Sequence, residues 1–197
     1  MGISKGSAQW SGGLKDFPFL WVQLPGFNPP DSVPPARSAW AIHRESMTAN
    51  LALPNTGQAI AIDLGDATDI HPTNKLDVGI RLARVALKSV YGKPIVASGP
   101  TYRSHEIRDG QVTIAFDNVA GGLVTRGYNG HVGGFAVAGA DNRFVWAEAR
   151  IEGDRVIVWS PNVTNPVSVR YAWSNNPSTA SLYNREGLPA APFRTDK

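Results

Sequence analysis

The chain has 197 residues, 42% of them hydrophobic, and its 19 Lys and Arg against 16 Asp and Glu give a net charge of +3. This hydrophobic fraction is that of a globular protein. The basic residues are scattered without a basic run, which argues against a nucleic-acid partner. The absence of cysteine excludes disulfides and thiolate metal sites. No apolar stretch approaches membrane-spanning length, so no membrane partner is expected.

Residues 1–15 are rich in Gly and Ser, and we expect a flexible lead-in. They lack the apolar core of a signal peptide, so the sequence leaves the localisation open.

Residues 16–93 have the pattern of an α/β unit. The run 17–24 predicts a strand covered on both faces, and a proline-rich loop follows, which could wall a cleft or act as a rigid connector. A helix is predicted from Ser38, its N-cap, to about Leu51, and a short strand at Ile60–Ile62 completes a strand-helix-strand crossover.

A second helix is predicted from Pro72 to about Tyr91, with Gly92 as its C-terminal cap. Apolar residues recur along it at helical spacing and predict the face that packs on the sheet: Leu76, Ile80, Ala83, Leu87 and Val90. Asp77 and Arg81 lie one turn apart and predict an exposed ion pair.

The stretch 63–75 brings acids, a histidine and a helix start together. A histidine side chain titrates near neutral pH, so His71 is a candidate to accept and return a proton, while Asp69 or Asp66 could orient its ring. These three residues therefore form a candidate general base with an orienting acid. The alternative is a solvated turn and helix cap, and a metal-dependent hydrolase built on the same three residues is a weaker hypothesis.

The sequence pattern changes in residues 94–197, where short β-rich runs separated by Gly, Asn and Asp replace the helical periodicity. Hairpins are predicted at Asp109–Gly110 and at 152–154, and a half-buried strand at 143–151. We therefore predict an antiparallel β-sandwich with an irregular C-terminal tail that packs back on the body.

Three polar residues between glycines in this part, Tyr128, Asn129 and His131, are candidate substrate-binding residues. With Trp146 and Trp159 they could form a sugar-contacting surface, since aromatic faces suit pyranose rings. The alternative is that both tryptophans belong to the core and that the polar residues form a turn.

Several longer motifs bear on function: DFPFLWVQLPGF at 16–27, DIHPTNK at 69–75, VGIRLA at 78–83, YAWSNNP at 171–177 and LYNREGLPAAPFRTD at 182–196. In these motifs the chain resembles the sialate O-acetylesterase family of carbohydrate esterases. The resemblance implies an SGNH-type, flavodoxin-like parallel sheet in residues 16–93, an accessory β-sandwich in 94–197, and an ester hydrolase that removes acetyl groups from sugars without a cofactor. Family members are often exported.

The resemblance also implies that His71 is the catalytic histidine that activates a serine. The wider SGNH pattern has an Asp three residues before that histidine, where this chain has Thr68, so Asp69 and Asp66 are the alternatives. The family's Gly-Gln-Ser-Asn nucleophile block does not occur in these 197 residues.

The absence of that block predicts a catalytically incomplete C-terminal portion, or a non-catalytic carbohydrate-binding or structural module. We expect an O-acetylated carbohydrate or small ester as substrate. We also expect either a homo-oligomer or a complementing N-terminal fragment, joined through the sheet edge at 17–24.

Overall fold

The computed structural model describes residues 17–196, apart from the side chain of Tyr128, so the predicted lead-in lies outside the described residues. The helices are α1 (Ala39–Ala49) and α2 (Lys75–Ser89), and short 3-10 turns lie at Asn50–Ala52, Ile62–Leu64 and Tyr128–Gly130. The strands in chain order are β1 (Phe19–Val22), β2 (Thr56–Ala59), β3 (Thr101–Arg108), β4 (Gln111–Asp117), β5 (Leu123–Thr125), β6 (Phe135–Ala138), β7 (Val145–Trp146), β8 (Glu148–Glu152), β9 (Arg155–Trp159), β10 (Ser168–Tyr171), β11 (Leu182–Asn184) and β12 (Phe193–Arg194).

The α/β part contains one parallel strand pair. β1 pairs with β2 so that Phe19 lies opposite Thr56, and α1 connects them. This confirms the predicted crossover, but the second strand precedes the predicted Ile60–Ile62. Ile60 and Ile62 instead join a buried cluster with the antiparallel strands, because that core takes up their apolar surface.

The helix ends follow local rules. The Ser38 Oγ accepts a hydrogen bond from the Ala41 N–H at 3.1 Å, which confirms the predicted N-cap. Asn74 caps α2 in the same way, so this helix begins later than predicted. Gly92 has a φ of 63° and confirms the predicted left-handed cap. Neither helix within residues 17–196 has the length and apolarity needed to cross a membrane.

The prediction for the sheet-facing side of α2 is wrong. Arg81 and Val85 are its buried residues, whereas Leu76 is 72% exposed and Ile80 46% exposed. Arg81 can occupy the inner face because Asp63 and the Ile60 carbonyl accept its hydrogen bonds. The predicted Asp77–Arg81 ion pair is also wrong, since the Asp77 carboxylate accepts from the Asn74 amide instead.

The rest of the chain is antiparallel, as predicted. Two four-stranded sheets have the orders β3-β4-β9-β8 and β12-β10-β6-β7, and β11 pairs with β5. Buried residues of both larger sheets, among them Ile114 and Val169, share one hydrophobic cluster. The hairpin at Asp109–Gly110 is confirmed, with φ values of 51° and 74° that suit a type I′ turn.

The predicted single strand at 143–151 is two strands. β7 pairs with β6 and β8 pairs with β9, so the chain changes sheets at Ala147, whose N–H donates to the Phe135 carbonyl. Three strands were not predicted: β3, β11 and β12. The tail nevertheless packs back as expected, because Arg194 in β12 forms an ion pair with Glu45 in α1 at 2.9 Å.

Arg44 in α1 joins the α/β part to the β-rich part. Its side chain is fully buried and donates to the carbonyls of Leu24, Pro25, Ser174 and Asn175 at 2.6 to 2.9 Å. Burial lowers the pKa of Arg44 to about 10, so the guanidinium keeps its charge at neutral pH. The two parts are thus tied by buried contacts, and the division into domains at residue 93 stays a prediction.

Candidate active site and adjoining cavity

His71 and Asp69 are in direct contact. The His71 Nδ1 lies 3.0 Å from the Asp69 Oδ1, and the same oxygen accepts from the His71 backbone N–H at 2.8 Å. These hydrogen bonds lower the pKa of Asp69 below its usual value, the backbone one contributing most. With its proton on Nδ1 the ring donates to Asp69, and Nε2 is then the nitrogen that can accept a proton.

Asp66 has different hydrogen-bond partners from Asp69. Its Oδ1 accepts from the Thr68 N–H and the Thr68 hydroxyl, both at 2.7 Å, and from the Asp69 N–H at 3.3 Å. These bonds lower the pKa of Asp66. Asp66 therefore shapes the turn that carries Asp69, and of the two candidate acids Asp69 is the one that contacts the histidine.

The His71–Asp69 pair is open to solvent. The His71 side chain is 80% exposed and that of Asp69 is 59% exposed. Within residues 17–196, no hydroxyl group is hydrogen-bonded to His71. Over the same residues, no group of three acids or histidines is arranged to hold a metal ion. The pair can accept a proton, but no hydroxyl group that could give one up is hydrogen-bonded to His71 within residues 17–196.

A cavity of about 650 Å³ lies between the proline-rich loop and the antiparallel strands. Pro30 and Asp31 of that loop line it, so the loop forms a wall of the cavity. The loop is fixed there because the Trp146 indole N–H donates to the Ser32 carbonyl at 3.0 Å. Burial raises the pKa of Asp31 above its usual value.

The cavity has an aromatic and hydroxyl-rich lining. Trp146 is 40% exposed and lines it, so the interpretation of Trp146 as core is wrong. Trp173 presents part of its buried ring, and Ser174 and Ser181 add hydroxyl groups. A half-exposed indole beside hydrogen-bonding groups is an arrangement that can hold a sugar ring.

The predicted substrate-binding residues do not all lie at the same place relative to the cavity. His131 lines the cavity, and its Nδ1 lies 3.7 Å from the Glu148 Oε2. Tyr128 and Asn129 lie in a 3-10 turn, and Asn129 does not line the cavity. Asn129 is exposed and adopts a φ of 52°, which is typical of a turn residue. Of His131 and Asn129, therefore, His131 is the one that lines the cavity.

Beneath the cavity lies a buried polar group that the sequence did not reveal. The Arg81 Nη2 donates to the Asp63 Oδ2 at 2.7 Å, and the Tyr183 hydroxyl donates to the same oxygen at 3.0 Å. Burial, reinforced by the Asp63 charge, raises the pKa of Tyr183. Arg126 lies over the Tyr183 ring at 4.3 Å. Asp63 and Tyr183 also line the cavity, so this group supports its floor.

The catalytic candidates and the cavity are neighbours along the chain. His71, Asp69 and Asp66 do not line the cavity, but Ile62, Asp63 and Gly65 do. Asp66 forms an isolated parallel bridge with Phe27, at the start of the proline-rich loop. The turn that carries His71 is thereby attached to the rim of the cavity.

Comparison with solved structures finds the crystal structure of a carbohydrate acetylesterase from Xanthomonas citri, with a TM-score of 0.88 and 50% sequence identity. This chain shares its fold with part of that esterase. The match covers 96% of this chain and 44% of the esterase chain, so this chain spans less than half of its length. No family model matches the chain, and no curated protein matches it.

Proposed function

We propose that this chain is part of a carbohydrate O-acetylesterase and supplies its catalytic histidine. The observation that carries the proposal is the 50% identity with a carbohydrate acetylesterase over 96% of this chain. The contact between His71 and Asp69 supports it, because an imidazole oriented by a carboxylate is the proton acceptor that ester hydrolysis by a serine requires.

In this proposal His71 first takes the proton of a nucleophilic hydroxyl and then returns it to the leaving sugar oxygen. Asp69 fixes the ring and stabilises the imidazolium that forms in each step. The cavity holds the sugar, with Trp146 against the ring and His131 at its side. More specifically, we propose that the esterase is of the sialate O-acetylesterase type and that its parallel sheet is SGNH-like. The sequence motifs support this more specific proposal.

We further propose that the chain by itself is catalytically incomplete. The exposed Nε2 of His71, which has no hydroxyl partner in residues 17–196, supports this. Removing the nucleophile of a serine hydrolase lowers turnover by about a millionfold, so an isolated histidine leaves almost no activity.

Aryl acetate hydrolysis by the purified chain tests the proposed incompleteness. His71→Ala is compared with His43→Ala, which removes an exposed histidine on α1, and each protein is treated with a fluorophosphonate and weighed intact. We expect no adduct and no turnover that depends on His71. Activity that His71→Ala abolishes, together with a single adduct, would reveal a serine within the chain and contradict incompleteness.

The alternative function is a carbohydrate-binding module without catalysis, and the cavity with its half-exposed Trp146 favours it. Sugar binding that is unaffected by His71→Ala, in a protein that never gains turnover, is the result that distinguishes this alternative.

A further inference from the structure

Asp31 in the proline-rich loop places a carboxylate in the wall of the cavity. Burial raises the pKa of this carboxyl, and no hydrogen bond or neighbouring charge from residues 17–196 contributes to the shift. The carboxylate is therefore partly removed from water without a partner from the part of the chain that the structure describes. An acceptor in this position is available to the hydrogen-bond donors of a ligand.

The backbone that carries Asp31 is fixed on both sides of this residue. Before it, the Asn176 side-chain amide donates to the Asn28 carbonyl at 2.7 Å. Directly after it, the Trp146 indole N–H donates to the Ser32 carbonyl at 3.0 Å. These bonds hold the loop against the antiparallel strands without a ligand, so a ligand that binds Asp31 does not have to order the loop first.

The bond to Ser32 also brings the Trp146 ring beside Asp31. Since the indole N–H is already bound to the loop, Trp146 can offer a sugar its apolar face but not its donor. A pyranose that lies against this face has hydroxyl groups around its rim, and these need acceptors next to the indole. Asp31 lies one residue from the carbonyl that holds the indole, which makes it such an acceptor.

The lining contains one other carboxylate within residues 17–196, that of Asp63. Arg81 and the Tyr183 hydroxyl both donate to it, so its acceptor sites are used inside the protein. Of the two acids, therefore, Asp31 is the one whose oxygens remain free for a ligand.

The two oxygens of a carboxylate accept hydrogen bonds side by side, which suits two donors held at a short, fixed separation. Two hydroxyl groups on neighbouring carbons of a pyranose ring are such a pair of donors. An acetyl group on either oxygen removes one donor and adds bulk, so the match is with neighbouring hydroxyls that are both free.

We propose that Asp31 is a specificity-determining residue, whose carboxylate accepts hydrogen bonds from two neighbouring free hydroxyls of the sugar that lies against Trp146. The favoured ligand is then a partly acetylated pyranoside, and a fully acetylated one is disfavoured. This role rests on the proposed function in one respect, that the cavity holds the sugar. Asp31 takes no part in the proton transfer at His71.

The test is NMR titration of the full chain with methyl β-glucopyranoside acetylated on its primary hydroxyl, and with the analogue that lacks the middle ring hydroxyl and so has no neighbouring pair. The wild type should bind the parent sugar about tenfold more tightly than the analogue, with a shift of the Trp146 indole N–H signal. Asp31→Asn should bind both sugars equally and the parent about tenfold more weakly than the wild type does. Asp141→Asn, which changes an exposed acid outside the lining, should behave as the wild type.

The comparison of the two sugars on the wild-type protein is informative even where Asp31→Asn disturbs the loop, which the Trp146 signal of the free variant reveals. Equal binding of the two sugars by the wild type, or a fully acetylated glucoside that binds as tightly as the parent, would overturn the role of Asp31 and leave the cavity as the sugar site. Binding of neither sugar would reject both. Acetate release that depends on His71 is measured separately, so its failure would count against the proposed esterase function and not against Asp31.

Discussion

Two regions of the molecule are built in opposite ways. The candidate catalytic turn, Asp66 to His71, is exposed and held by hydrogen bonds between residues two or three apart. The buried junction, formed by Arg44, Asp63, Arg81 and Tyr183, is held by contacts between residues 18 to 131 apart. Local bonds give the turn its shape, while the junction fixes where that shape lies relative to the cavity.

The hydrogen bonds of the two regions also differ in how much they contribute to stability. Hydrogen bonds in the exposed turn compete with water and contribute little to global stability. Those of the junction are desolvated, so loss of one partner leaves a buried polar group unsatisfied. We therefore expect substitutions in the junction to affect folding, and substitutions in the turn to affect chemistry alone.

The largest effect is expected from Arg44→Met. Methionine keeps much of the volume but removes the Arg44 donors from four carbonyls, of which Pro25 keeps the Trp40 indole N–H and Asn175 keeps the Phe27 N–H. The carbonyls of Leu24 and Ser174 lose the Arg44 donor without such a replacement, so the free energy of unfolding should fall by about 4 kcal/mol. Urea denaturation measures this loss. Arg37→Met, which removes an exposed arginine from the proline-rich loop, is the matched control and should change stability little. A similar loss in both variants would contradict the importance of the junction.

Arg81→Met should cost somewhat less, about 3 kcal/mol, because it leaves the Asp63 carboxylate with only the Tyr183 hydroxyl. Asp63→Asn in the same background should recover part of the loss, since it removes the uncompensated charge. A double-mutant cycle gives the coupling of the pair. A cycle with no coupling would show that the contact does not stabilise the floor of the cavity.

Trp146→Ala tests the cavity. Loss of the half-exposed indole should weaken sugar binding about tenfold, measured by calorimetry with O-acetylated xylan fragments and an O-acetylated sialic acid. Trp159→Ala removes a tryptophan that does not line the cavity and should leave affinity unchanged. Equal losses in the two variants would place the sugar elsewhere.

The smallest effect concerns the carboxyl of Asp69. Its pKa is lowered, so the native turn gains stability above the carboxyl's ordinary pKa of 3.8 and loses it as the pH falls through the lower native value. NMR titration should find a midpoint below 3.8. His71→Ala should keep most of the shift, because the backbone N–H of residue 71 remains. Full recovery of the ordinary value in that variant would assign the shift to the imidazole.

The contrast between local contacts and contacts distant in sequence also explains what the sequence could predict. The Ser38 cap, the Gly92 cap and the Asp109–Gly110 hairpin depend on neighbouring residues, and all three are confirmed. The proximity of Asp69 to His71 also follows from a spacing of two. Their catalytic role stays a prediction, as does the role of Asp66.

The inner face of α2 could not be predicted from periodicity. The apolar residues from Leu76 to Val90 have the spacing of a buried face, and Arg81 does not. Arg81 is nevertheless buried because Asp63 and the Ile60 carbonyl satisfy it. A paired cation on the inner face has no periodic signal, so the pattern pointed to the exposed face.

The cavity could not be predicted from local sequence patterns either. Its lining comes from the proline-rich loop, the segment around Gly65, the stretch from Arg126 to Phe135, strand β7 and the stretch from Ala172 to Tyr183. Alternation with Ala147 and Ala149 correctly places Trp146 on the exposed face, but it does not show that the chain changes sheets at Ala147. Of the predicted sugar-contacting residues, His131 and Trp146 line the cavity, and Arg126, Asp31 and Tyr183 are among the lining residues that prediction missed.

The most direct test of the central claim is a chimera in which residues 17–196 replace the matched part of the Xanthomonas citri acetylesterase. Acetate release from an acetylated polysaccharide is measured for the chimera and for its His71→Ala and His43→Ala variants. We predict that the chimera and His43→Ala release acetate and that His71→Ala is slower by at least about a thousandfold. A folded chimera that is equally active with alanine at position 71 would contradict the assignment of His71 as the catalytic base.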